Sequence, residues 1–247
     1  MKRGYVLFCA GMLLAGGCTA DPAPGPTTAP VVVGSPTPDA AKADLVAALE
    51  KSEGAPFRYV VDGDLPEGQR VKATGVVDRT ARRFQSSVTI IGGKDPAAAR
   101  NIVIGDDSYV REAGEGWVHV DLARVRPDDP FITFDWADPI GFKAFTKAIV
   151  SAQRAGPRVY TGRIDPAAGL RDLFLPVGSP GIVTLGISVA PFTVTTDEQG
   201  WVTSIAVELT PSDGPALDMT TTFGGHGKAL TVKRPAGAAE AADYLYG

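Results

Sequence analysis

From Tyr59 to Asp121 one strand pattern follows another, and that succession limits the fold more than any other feature of the chain. Tyr59 and Val61 alternate with polar neighbours. So do Val71, Ala73, Gly75 and Val77, and then Phe84, Ser86, Val88 and Ile90. A period of two puts each such set on one face of a strand. Asn101–Gly105, Ser108–Glu112 and Trp117–Asp121 continue the series, separated by Gly105-Asp-Asp and Gly114-Glu-Gly. Both separators are turn sequences, so the spacing is that of an antiparallel meander.

Helical signals are few. Thr37 is a good cap, Pro38 suits a first turn and Asp39 suits its positive end. Ala41, Leu45, Ala48 and Leu49 follow at helical spacing, which predicts a helix over 38–52 ended by Gly54. Asp138-Pro139 opens a second pattern in which Phe142, Phe145, Ile149 and Ala152 share a face. It predicts a helix over 139–153, closed by Gly156-Pro157. A strand Arg158–Asp165 and a short helix over 166–174 come next. Strand patterns then return at Ile182–Thr196, Trp201–Leu209, Ala216–Phe223 and Ala229–Lys233, with hairpin turns at Gln199-Gly200 and Asp213-Gly214. Ala236–Tyr246 reads as a short last helix. This order is α+β: one antiparallel sheet with helices against one face.

The first 36 residues are of another kind. Lys2 and Arg3 precede the apolar run Tyr5–Leu14, and small residues lead to Cys18. That is an export signal, too short to span a bilayer comfortably. Ala15-Gly16-Gly17-Cys18 resembles the lipobox of bacterial lipoproteins, with Ala15 where leucine is usual. The resemblance implies removal of residues 1–17, diacylglyceryl attachment at Cys18, and anchoring on the extracytoplasmic face of the bacterial cell membrane. Pro22, Pro24, Pro26, Pro30 and Pro36 punctuate the next stretch. Residues 18–36 therefore read as a lipidated cysteine and a tether with no packed core, and 37–247 as the folded domain.

Loss of residues 1–17 removes Lys2, Arg3 and Cys9 but no acidic residue, taking the formal charge from −4 to −6. A negative chain argues against a nucleic-acid partner, and it offers no polybasic patch for anionic headgroups. One cysteine remains, so no intramolecular disulfide can form, and a domain of this size does not need one.

Catalytic constellations are sparse. The chain has two histidines. His119 lies in Trp117-Val-His-Val-Asp121, on the face opposite Val118 and Val120; beside an aspartate it reads as an exposed strand residue before half of a catalytic pair. His226 sits in the turn Gly224-Gly-His-Gly227, with no Cys or Glu at ligand spacing. There is no Gly-x-Ser-x-Gly elbow, and Gly224–Lys228 lacks the spacing of a phosphate loop. Asp106-Asp107 and Asp128-Asp129 fall in turn-like segments and read as solvated loop carboxylates. The expectation is a protein that is not an enzyme and needs no cofactor or metal. The apolar material is more suggestive. Val88, Ile90, Ile102, Ile104, Val118 and Val120 give the sheet an apolar side, and Phe142, Phe145 and Ile149 give a helix one. These nine are the candidate lining of an apolar cavity, if sheet and helices do not meet fully.

Five segments follow a recognisable order: Ser108-Tyr-Val-Arg with Gly116-Trp-Val-His-Val-Asp121; Arg158-Val-Tyr-Thr-Gly-Arg-Ile-Asp165; Phe192-Thr-Val-Thr-Thr-Asp-Glu-Gln-Gly-Trp201; and Met219-Thr-Thr-Thr-Phe-Gly-Gly-His-Gly-Lys-Ala-Leu-Thr-Val232. Together they resemble the mycobacterial LppX/LprG-type lipoproteins and their actinobacterial relatives. The resemblance implies a half-open β-barrel with helices in its concave face, related in shape to periplasmic lipoprotein carriers. It also implies non-catalytic binding of an acyl-chain lipid or glycolipid for carriage or presentation in the cell envelope. The same shape also serves envelope sensors that bind a protein partner, which is the alternative. No individual ligand residue transfers, because such cavities have generic apolar linings.

Overall fold

The computed structural model describes residues 37–93, 96–126, 134–166, 173–174, 177–178, 182–183, 189–211 and 214–246. The signal, Cys18, the tether and Asp128-Asp129 lie outside these residues.

Helix α1, Pro38–Gly54, forms as its sequence predicts. Pro38 opens it, and the Thr37 hydroxyl accepts from the Ala40 N–H at 3.4 Å. Ala41, Leu45 and Leu49 are fully buried along one face. An antiparallel meander follows: β1 Phe57–Leu65, β2 Gln69–Asp78, β3 Arg83–Ile91, β4 Ala97–Ile104, β5 Asp107–Glu112 and β6 Val118–Asp121. Next come α2 Phe142–Ala148, β7 Ile149–Gly156, β8 Val159–Ile164, β9 Leu173–Phe174, β10 Ile182–Val183, β11 Ala190–Thr196, β12 Val202–Leu209, β13 Leu217–Gly224 and β14 Ala239–Glu240. Twelve strands make one open sheet in the order β14-β6-β5-β4-β3-β2-β1-β13-β12-β11-β8-β7. Every pairing in it is antiparallel except β14 on β6. Strands β9 and β10 pair separately.

The register defines two faces. Across one run the paired residues Val118, Val110, Asn101, Ser86, Gly75, Tyr59 and Phe223. The next row on that face holds Val120, Ser108, Val103, Phe84, Val77 and Phe57. The helices pack on this face. Leu45, Leu49, Phe142 and Phe145 join Tyr59, Val61, Val194 and Leu209 in the main core, where Phe57, Phe142 and Phe223 meet at ring distances of 5.1–5.9 Å. Toward β3 and β4 the cover changes hands, and Phe134, 4.9 Å from Phe84 and 4.7 Å from Trp136, takes over from the helices. A partly buried ion pair spans this junction. Arg79, at the β2–β3 turn, reaches Glu53 at 2.5 Å and donates to the Trp136 carbonyl at 3.2 Å. Burial raises the Glu53 carboxyl above its usual range, against the pull of Arg79 and Lys143.

Four expectations change. The second helix is shorter than 139–153. It starts after Gly141, which is left-handed, and Asp138 caps it through the N–H groups of Lys143 and Ala144 at 3.1 and 2.9 Å. It ends at Ala148 because β-branched Ile149 and Val150 continue as β7 against β8, where Ile149 opposes Ile164 and Ala152 opposes Gly162. The helix over 166–174 does not hold at its end: Leu173 and Phe174 are a strand, and residues 167–172 lie outside the description. Ala229–Lys233 joins no ladder and is not a strand, although the side chains of Leu230 and Val232 are buried. Ala236–Tyr246 is not a helix throughout; it holds β14 and a 3-10 turn over Asp243–Tyr246.

Candidate functional site

The helix-bearing face continues past Phe134 onto β4, β5 and β6, and a groove of about 690 Å3 opens there. Its apolar wall is Val110, Val118, Val120, Phe134 and Leu245. Asn101 and Ser108 supply polar groups, and Glu112 and Glu115 stand at the exposed rim. The volume is within the usual range of small-molecule sites, as is a mostly apolar lining with a few polar groups.

The nine candidate lining residues do not gather in one place. Val118 and Val120 line the groove. Val88 lines a smaller cavity of about 200 Å3 beside Tyr59, Phe84, Ser86 and Ile140, and Ile90 packs against the main core nearby. Phe142, Phe145 and Ile149 are buried in that core. Ile102 and Ile104 lie on the opposite face, in a cluster with Tyr109 and Val232, because β4 places them out of phase with Asn101 and Val103. Val110, Asn101 and Ser108 were missed by sequence reasoning, although the period of two in Ser108–Glu112 carries Ser108 and Val110. Leu245 carries no such signal, since only tertiary folding brings it to β6.

His119 is on the opposite face, outside the groove, and is not a bare exposed residue. Its Nε2 meets Asp107 at 2.9 Å, and its Nδ1 meets Glu240 at 2.9 Å. The ring stacks on Tyr109 at 4.9 Å, and Arg234 pairs with the other oxygen of Asp107. Burial alone would lower its pKa, but hydrogen bonds to Glu240 and Asp107 outweigh this and raise it. The carboxylates sit on opposite ring nitrogens, so the three groups do not converge on one point. Among the described residues no group of three His, Cys, Asp or Glu side chains could hold a metal ion. Asp106 turns away to Arg82 at 2.7 Å, so Asp106 and Asp107 do not form an acid–base pair.

His226 has the opposite environment. It stacks on Trp201 at 5.1 Å and 6°, with Phe57 6.0 Å away and Lys51 4.3 Å from the Trp201 ring. Its Nε2 is buried without a hydrogen-bond partner among the described residues. Burial lowers its pKa, and Lys51 adds to that against Asp197. The two histidines therefore bias stability in opposite directions. A raised His119 pKa stabilises the fold below about pH 6.5, and this is lost as pH rises through the raised value. A lowered His226 pKa leaves its contribution intact above about pH 6.5, and this is lost as the pH falls. Urea midpoints between pH 5.5 and 8 will show it. His119→Gln will remove the alkaline decline and His226→Gln the acid one, whereas matching slopes in both variants would refute the assignment.

No protein-family model matches the chain, and no curated protein matches it in sequence. Among solved structures it is similar to an uncharacterized conserved protein from Thermus thermophilus, 11% identical, covering 81% of this chain and 97% of that one at a TM-score of 0.40. A porin-like protein from Bacteroides uniformis is 11% identical, with 70% and 96% covered at 0.25. A LolA superfamily protein from Nitrosomonas europaea is 8% identical, with 81% and 96% covered at 0.26. Likenesses this loose leave function to the chain's own geometry.

Proposed function

We propose that this chain binds a hydrophobic ligand, an acyl-chain lipid or glycolipid, in the groove on β4–β6, and carries or presents it without covalent chemistry. The groove supports the reading: an apolar recess of about 690 Å3 open on the face that elsewhere buries the core. Burial of about ten methylenes contributes about 8 kcal/mol before ordering costs, enough for reversible capture. The lipobox-like Ala15–Cys18 supports an acyl anchor at the outer side of the cell membrane, and the tether would give the domain reach from it. The LppX/LprG-type resemblance of the strand segments points to the same ligand class. The test is native mass spectrometry of the protein purified from its own host. A lipid-sized adduct that organic extraction removes is expected; a consistently unliganded mass that takes up no added acyl lipid would overturn the reading.

A further inference from the structure

The segment after β13 crosses from one face of the sheet to the other. Val232 and Ala238 pack with Ile102 and Tyr109 on the face opposite the helices. Gly237 takes a φ of +70°, and β14 then runs along the free edge of β6. Ala241 packs with Val120 and Val125, and Leu245 and Ala239 close one side of the groove. The ladder with β6 is only two register pairs long. The Ala239 N–H donates to the Trp117 carbonyl at 2.9 Å and the Ala241 N–H to the His119 carbonyl at 2.8 Å. Tyr246 adds an acceptor for the Asp121 N–H at 3.2 Å and lies under Arg124.

We infer that residues 236–246 are a releasable strap that closes one side of the groove, and that the His119–Glu240 ion pair is its clasp. The inference rests on the groove being the ligand site. Asp107 and Tyr109 face His119 from β5, and Glu240 faces it from β14. Arg234 reaches Asp107 from the segment before the strap, and Asp121 lies opposite Asp107 in register. A protonated ring donates to both carboxylates, whereas a neutral ring donates to only one. Asp107 then keeps Arg234. Glu240, 72% exposed, has His119 as its one ion-pair partner among the described residues, so it is the side that lets go. The strap is thus held in acid and loosened as pH rises through the His119 transition, while its base at Arg234 stays attached.

Glu240→Ala in the full chain tests this, because an exposed side chain is removed and the core is untouched. Hydrogen exchange at the Ala239 and Ala241 amides is expected to rise at least tenfold at pH 6, with the amides of β1 and β13 unchanged. In the parent the same two amides are expected to lose protection between pH 6 and 8.5, and in the variant to show no such added step. Unchanged exchange at Ala239 and Ala241, or a loss spread over the whole sheet, would overturn the clasp. Stopped-flow uptake of Nile red reads the groove, and the variant is expected to bind and release it at least fivefold faster. Dye binding at unchanged rates would overturn the strap as a gate. No dye binding by either protein would overturn the ligand reading instead, and the exchange result would then decide the clasp alone.

Discussion

Gly162→Ala will cost at least about 3 kcal/mol, at or above the upper end of the usual range for overpacking and a large share of the stability of a typical domain. Gly162 lies in β8 between Ala152 of β7 and Phe192 of β11. A Cβ there would stand 2.0 Å from the Ser151 carbonyl oxygen and 2.7 Å from the Phe192 ring. The first neighbour is backbone, so relief requires moving β7, and with it the contact between β7 and α1. Phe192 cannot retreat freely, because it packs edge-on against Phe145 at 5.5 Å. Urea unfolding should show the midpoint falling steeply or no cooperative transition at all. Gly54→Ala is the control, since nothing lies within 4 Å of its would-be Cβ at the end of α1, and its midpoint should stay level or rise slightly. A Gly162→Ala midpoint equal to the parent's would show that β7 and β8 are not held this closely.

The second large effect is on binding. Val118 is 38% exposed and its side chain forms part of the groove wall, so Val118→Arg should fold normally. It places a guanidinium where an acyl chain would lie, and desolvating that charge without a buried partner is costly. The affinity for an acyl-lipid probe is expected to fall at least about 30-fold, equivalent to about 2 kcal/mol. Val150→Arg provides the comparison: Val150 is 56% exposed on β7, at the other end of the sheet, and binding should not change. Equal loss in both variants, or no loss in Val118→Arg, would remove the groove from consideration as the binding site.

The meander was legible because β1 to β3 carry a period of two and turn sequences set off β4 to β6, although the Ala97–Arg100 start of β4, which lacks alternation, was not read as strand. Thr37 and Pro38 likewise announce α1, since capping is local chemistry. Ile149 shows where local reasoning fails. Its spacing from Phe142 and Phe145 fits a helix, but pairing of Ile149 with Ile164 takes it into a strand. The clash between helical spacing and β-branched character is resolved by a partner that spacing alone does not identify. The candidate site was legible in part for a similar reason. Val118 and Val120 were grouped correctly by period, and Ile102 and Ile104 were also grouped with each other. What sequence did not reveal was the phase between strands: β4 turns Asn101 to the groove and Val103 to the main core, and its isoleucines to the opposite face. Glu240 is the far case, since it lies 121 residues from His119.

The pairing of β1 with β13 also has a consequence for how the chain reaches its native state. Residues 57–121 can zip up from neighbour to neighbour through short turns. The other half, β7, β8 and β11–β13, is likewise built largely of near neighbours. The two halves join where Tyr59 meets Phe223 and Gly63 meets Met219. Closing so long a loop carries an entropic cost that neither half repays alone, so the central seam should be the late, rate-limiting event of folding. Until β13 is available, β1 presents an unpaired edge in the middle of the future sheet, and Phe57 lacks the Phe223 ring that completes its packing. A nascent chain of this design stays incomplete until nearly all of it has been made, a state compatible with threading through a narrow passage before it closes.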